Sequence, residues 1–195
     1  MEIARRKERL REELGPRRRQ VSEAAAEMAG RAIAATWVEL PDFGSCRRLA
    51  LYSAVRGEVA TGGLLQLAEL RGLRVLWPRV DDDRLVFVEA ELRELTRGAF
   101  GIPEPPATRG GSLLAAGDWV AVPGVAFDAA GRRLGRGGGF YDRALAHCPE
   151  SVRVGVGYDF QCIDEVPAGP LDQPMDWVVT DERVLAVRRG AREEP

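Results

Sequence analysis

The stretch Val122–Arg143, VPGVAFDAAGRRLGRGGGFYDR, runs from the end of an apolar segment, Trp119 to Val122, into a segment of helical spacing, Phe140 to Cys148. A strand leading through a glycine-rich turn into a helix is the context in which glycines handle phosphate. Gly135, Gly137, Gly138 and Gly139 let backbone N–H groups approach an anion without interference from a Cβ, and a helix start near Phe140 adds a favourable dipole. Arg133 and Arg136 add charge-assisted contacts of about 1.5–3 kcal/mol each. An isolated glycine run is as often a flexible turn as a site. Two arginines and an aspartate among these glycines weigh against that plain reading. G-x-x-x-x-G-K-[ST] is missing, and G-x-G-x-x-G matches poorly because the run falls late in the chain. The stretch reads as a phosphate cradle for a nucleotide held in an unusual way.

Outward from it, short apolar runs bounded by glycine, proline and charge read as strands: Arg48 to Ser53, Leu73 to Trp77, Leu85 to Glu89, Trp119 to Val122, Val152 to Gly157 and Trp177 to Thr180. Helical spacing separates several of them, as at Gly63 to Leu70, so a mostly parallel sheet covered on both faces is expected. Ligands in such sheets sit beyond the carboxyl ends of the strands. Leu85 to Leu95 suggests a hairpin or edge excursion, and Gly98 to Gly117 a long functional connection. Before the first strand lies a helical preamble. Glu2 to Leu14 forms a charged helix ended by Gly15-Pro16, and a second helix runs from the Ser22 cap to about Leu40. The charged tail after Arg188 is expected to fray.

The chain has 195 residues, 45% hydrophobic and 30% charged, which suits one domain with a proper core. A net charge of -2 gives no overall attraction to nucleic acid. Three cysteines without CxxC spacing, together with the lack of an apolar leader, point to the cytoplasm, and no run suits a membrane span. The single histidine, His147, excludes mechanisms built on several imidazoles.

Several lone residues acquire meaning only together. Asp142 and Asp172 can reach one site at the strand ends, and Mg²⁺ needs only one or two carboxylates beside phosphate oxygens. Singly, they are a helix-start charge and a loop residue. Asp128 suits a turn before Gly131. Glu58 follows the first strand at the edge where ligands are expected. Lys7 and Arg11 lie one helical turn apart and can project to an anion, although a solvated basic face has the same spacing. Trp77, Phe87, Phe100, Phe127 and Phe140 offer surfaces for a heterocycle, with Phe87 assigned to the core.

In order along the chain, Lys7-x-x-x-Arg11, Gly57-Glu58-Val59 with Thr61, Trp77-Pro78, Phe100-Gly101-Ile102 with Glu104-Pro105, VPGVAFD before RLGRGGGFYDR, and LDQPMDWVVT resemble the 5-formyltetrahydrofolate cyclo-ligases, also called methenyltetrahydrofolate synthetases. The resemblance implies an α/β fold of the sugar-isomerase or CoA-transferase-like, Rossmann-like type. It also implies a reaction of ATP with 5-formyltetrahydrofolate that gives 5,10-methenyltetrahydrofolate, ADP and phosphate. Carried over motif by motif, Lys7, Arg11 and the run Arg133, Leu134, Gly135, Arg136, Gly137, Gly138, Gly139, Phe140 and Tyr141 would contact ATP. Asp142 and Asp172 would hold Mg²⁺. Ser53, Glu58, Phe100 and the run Arg136 to Phe140 would border the folate, with Arg136 and Asp142 the catalytic pair. Partners would be these small molecules, with neither nucleic acid nor membrane, and the chain a monomer. Two positions depart from the family pattern. Phe140 stands where relatives commonly carry a tyrosine, and Gly138 where some carry lysine. A non-catalytic folate- or nucleotide-binding module is the rival reading; an RNA-binding helper fits the net charge poorly.

Overall fold

Strands that are apolar without alternation must be covered on both faces, and the strand at the middle of the sheet is of this kind. The computed structural model describes residues 2–187, so the tail after Arg188 lies outside the described residues. Its main strands are β1 (Arg48–Ala50), β2 (Arg74–Asp81) and β3 (Arg84–Glu89). Two short ones follow, β4 (Thr96–Arg97) and β5 (Pro103–Glu104). Then come β6 (Trp119–Pro123), β7 (Ala126–Phe127), β8 (Arg133–Leu134), β9 (Val152–Val156), β10 (Trp177–Val179) and β11 (Val184–Ala186). The central sheet has seven strands in the order β11-β10-β9-β6-β1-β2-β3. β10, β9, β6, β1 and β2 run parallel, and an antiparallel hairpin partner closes each edge.

Along β6, Trp119 and Ala121 face one core with Ile33, Trp37 and Leu49, while Val120 and Val122 face another with Leu76, Leu145 and Val178. Helices α2 (Glu23–Trp37) and α3 (Gly62–Leu70) cover the first face, and α4 (Phe140–Ala146) lies on the second. The sheet is therefore mostly parallel and sandwiched between helices, with α1 (Glu2–Arg19) and α2 as the helical preamble. Ser22 caps α2, its hydroxyl accepting from the Ala25 N–H at 3.2 Å.

The structure moves several boundaries. α1 continues through Gly15-Pro16 to Arg19, because Leu14 packs with Val125, Leu134 and Val166 and Arg18 is buried, so tertiary contacts hold the last turn despite the proline. α2 stops at Trp37 rather than near Leu40. β2 runs past Pro78 to Asp81, whereas the sequence suggests an end at Trp77. Beyond the Ala50 to Leu76 pairing β1 no longer flanks it, and a strand unpaired on one side tolerates proline. β1 itself is shorter than Arg48 to Ser53, freeing its last residues for the site. The Leu85 segment is the edge hairpin with β2. The antiparallel strand β11 has no counterpart in the expected pattern.

Candidate functional site

β1 sends its chain to β2 on one side, while β6 lies on the other, so the strand order reverses between the carboxyl ends of β1 and β6. A crevice opens at such a switch point. Here it is a cavity of about 430 Å³, within the range typical of small-molecule sites. Lys7, Arg11, Ser53, Glu58, Phe100, Asp172 and the entire run from Arg133 to Asp142 line it. Every residue that the family resemblance assigns to the site is thus on one wall or another.

The glycine run forms one wall because its backbone takes shapes that a Cβ resists. Gly137 has φ +106° and Gly139, the residue before α4, φ +67°. The run is braced from behind. Arg133 is buried, its guanidinium donating to the Pro123 carbonyl at 3.1 Å and to Asp142 Oδ1 at 2.9 Å. Asp142 Oδ1 also accepts from the Gln173 N–H at 3.2 Å. Arg133 therefore holds the loop as well as lining it. Leu134 packs its side chain into the small core with Leu14 and bonds its carbonyl to the Val125 N–H, so its side chain belongs to the core rather than to a ligand. Tyr141 is desolvated, and burial, with Glu58 adding to it, pushes its phenol well up.

α1 lies across this loop. Arg11 Nε donates to the Gly135 carbonyl at 3.0 Å, and Lys7 Nζ pairs with Asp172 Oδ2 at 2.5 Å. Burial works to raise the Asp172 carboxyl, but the Gly169 N–H, Lys7 and Arg133 outweigh it and bring it below its ordinary value. Asp142 and Asp172 line the cavity together with Glu58 and Glu104. Among the described residues no three side chains of metal-ligating type gather. Two carboxylates on one cavity match what Mg²⁺ asks of a protein, since it draws the rest of its shell from phosphate and water.

On the opposite wall Glu58 is buried. Its Oε1 lies 3.4 Å from Arg18 and 3.8 Å from Arg136, and its Oε2 accepts from the Val55 N–H at 3.1 Å. Desolvation raises its carboxyl above the ordinary value, with Arg18, Val55, Arg136 and Arg56 opposing. Burial likewise works against the Arg136 charge and Glu58 supports it. Arg136 thus reaches from the glycine run to Glu58. Ser53 Oγ donates to the Pro103 carbonyl at 2.6 Å.

The aromatic candidates separate. Trp77, Phe87 and Phe127 are in the core, the first with its indole N–H on the Ala90 carbonyl, and offer no stacking face. Phe100 is 70% exposed and meets Phe140 edge-on at 6.0 Å between ring centroids. With Pro78, Val80, Leu85 and Ile102 the pair makes the apolar part of the cavity. The wall from β2 and β3 escapes a reading of the sequence that ends β2 before Pro78. Arg18 escapes it too, since a helix ended at Gly15-Pro16 leaves it in a charged connection, whereas α1 runs on to Arg19. Asp128 does serve the turn, accepting from the Ala130 and Arg132 N–H groups at 3.0 Å each. The thiols of Cys46 and Cys162 are each pushed up to about 11 by burial, unsuited to nucleophilic work.

Comparison with known proteins gives a consistent result. A model of the 5-formyltetrahydrofolate cyclo-ligase family matches residues 3–181. A 5-formyltetrahydrofolate cyclo-ligase of Mycolicibacterium smegmatis is 34% identical over 191 residues, spanning 94% of this chain and 97% of its own length. One from Escherichia coli K12 is 30% identical over 175 residues, 86% and 96% of the two chains. The solution structure of Aquifex aeolicus 5,10-methenyltetrahydrofolate synthetase superposes with a TM-score of 0.78 at 32% identity, covering 97% of this chain and 96% of that one.

Proposed function

The chain belongs to the 5-formyltetrahydrofolate cyclo-ligase family, and from that premise we propose that it cyclises 5-formyltetrahydrofolate to 5,10-methenyltetrahydrofolate with ATP and Mg²⁺, releasing ADP and phosphate. The observation that carries this reading is the position of Arg136, which lines the cavity in the glycine run and stands 3.8 Å from Glu58 across it. One guanidinium can thus serve the phosphate side and the folate side together.

A formamide oxygen leaves poorly, so N10 of the folate cannot close the ring by expelling it. Transfer of the γ-phosphoryl group to that oxygen breaks the bond to ADP and forms an activated imidate phosphate. N10 then attacks the formyl carbon and loses its proton, and the oxygen departs within inorganic phosphate. No protein nucleophile is needed; positioning and charge stabilisation supply the catalysis. In this assignment the amides of Gly135 to Gly139, with Lys7 and Arg11, orient the triphosphate, and Arg133 keeps the loop in shape. Arg136 stabilises charge on the phosphoryl group as it moves. Glu58 accepts from the N–H groups of the pterin, Ser53 borders it, and Phe100 and Phe140 pack on it. Asp142 and Asp172 would hold Mg²⁺, which neutralises phosphate charge when bound. Phe140 lacks the hydroxyl common in relatives, so its part is apolar contact.

The partners on this reading are small molecules only, acting on a monomer in the cytoplasm. Purified protein given 5-formyltetrahydrofolate, ATP and Mg²⁺ should show the absorbance of methenyltetrahydrofolate, with one ADP per product. Binding of both ligands without ADP release would favour the non-catalytic module instead.

A further inference from the structure

Glu58 has two cationic neighbours of different character. Arg136 reaches its Oε1 at 3.8 Å from a side chain that is 34% exposed on the cavity wall. Arg18 approaches the same oxygen at 3.4 Å from behind, with only 6% of its side chain exposed. Arg18 is also braced: its Nη1 donates to the Gly124 carbonyl at 2.9 Å. The backbone at the same point is locked, because Gly57 sits so close to the Arg18 carbonyl that a Cβ there would lie 2.1 Å from the oxygen. The end of α1 is therefore clamped to the Gly57-Glu58 turn through backbone and side chain together.

We propose that Arg18 is a positioning residue that holds the Glu58 carboxylate ionised and aimed into the cavity, leaving Arg136 available to the transferring phosphoryl group. The proposal rests on the cyclo-ligase reading for Glu58's role toward folate. A buried ion pair is a poor source of stability, since desolvation offsets much of its attraction. Its value here is functional. A buried carboxylate with no fixed counter-charge would take up a proton and donate where it must accept, or would capture Arg136. The groups facing Glu58 are Arg18 from α1, Arg136 from the glycine run, Arg56 from its own turn, and the phenols of Tyr52, Tyr141 and Tyr158. Of these cations, Arg18 is the one that stays out of the cavity lining, and its second bond, to the Gly124 carbonyl, fixes it. Because α1 also carries Lys7 and Arg11, one helix braces both walls.

The test compares Arg18→Gln, which keeps a donor for Gly124 but loses the charge, with Arg18→Lys, which keeps the charge. The KM for 5-formyltetrahydrofolate and for ATP is measured as pH falls from about 8 into the carboxylate range. For Arg18→Gln the folate KM should climb by about tenfold per pH unit in a range where the parent is still flat, as the ionised fraction of Glu58 falls. The KM for ATP should stay within about twofold, and Arg18→Lys should follow the parent. An Arg18→Gln profile like the parent's overturns the proposal, as does a pH-independent rise shared by both variants and both substrates, which would mark simple packing. Should Arg18→Gln fail to fold, the double variant Arg18→Gln/Glu58→Gln decides: a folded double variant supports the pairing, and an unfolded one refutes it. A parent chain with no cyclo-ligase activity would sink the functional reading instead, and the folding comparison would still judge the pairing.

Discussion

At Asp142, Oδ1 accepts from both Arg133 and the Gln173 N–H, so the residue fastens the glycine run to the segment before β10 while facing the cavity. Asparagine can keep those acceptor contacts and lose only the charge. Asp142→Asn should therefore lower turnover by about a hundredfold or more, the scale of losing one transition-state electrostatic contact, with the folate KM within about threefold of the parent. Parent-like turnover in steady-state kinetics would remove its role toward the metal. A second residue-scale expectation concerns Lys7 and Asp172. The Asp172 carboxyl is lower in the folded chain than its usual 3.8, so its stabilising contribution is fully present above that value and is lost as pH falls through the folded one. The stability difference between the parent and Lys7→Met should shrink over that acid window in thermal melts; a difference constant with pH would contradict the pairing. Of the site, the anion-handling residues are the ones a sequence displays, since glycine clusters and paired charges are rare patterns. Arg18 stays hidden because its burial depends on Gly124 and Glu58, which are remote in sequence.

Among the elements, the turn at Gly57 fixes how α1 meets the sheet. Its φ of +74° and its contact with the Arg18 carbonyl both exclude a side chain. Gly57→Ala should destabilise the chain by about 2 kcal/mol or more, read from denaturant midpoints, and should raise the KM for both substrates because α1 carries groups for each wall. An unchanged midpoint would mean that α1 docks otherwise. The strands and helices of the sheet are legible because apolar runs and punctuation mark them. The exceptions have local physical causes. Pro78 looks like a terminator until β1 is known to end before it, and Gly15-Pro16 looks like a helix stop until Leu14 and Arg18 are seen to anchor the next turn. Trp77 and Phe127 look available for stacking until the sheet covers them.

For the molecule as a whole, the sandwich opens its cavity at the switch point between β1 and β6 and gives each face of the sheet its own apolar core. Since α1 and the β7–β8 hairpin share a third, smaller core, we propose that the chain is one domain. Calorimetry should then show a single unfolding transition that ATP and folate together move upward, because ligands that bind only the native state stabilise it. Two separate transitions would divide the chain. The ordered set of motifs makes the overall architecture readable from sequence, whereas the reach of Arg136 from one wall to the other exists only in three dimensions.

Central to the account is direct transfer of the γ-phosphoryl group to the formyl oxygen across the space between the glycine run and Glu58. Substrate labelled with ¹⁸O in the formyl group, converted with ATP and analysed by mass spectrometry, should deliver the label into inorganic phosphate, one labelled oxygen per methenyltetrahydrofolate formed. Unlabelled phosphate accompanying full turnover would contradict it.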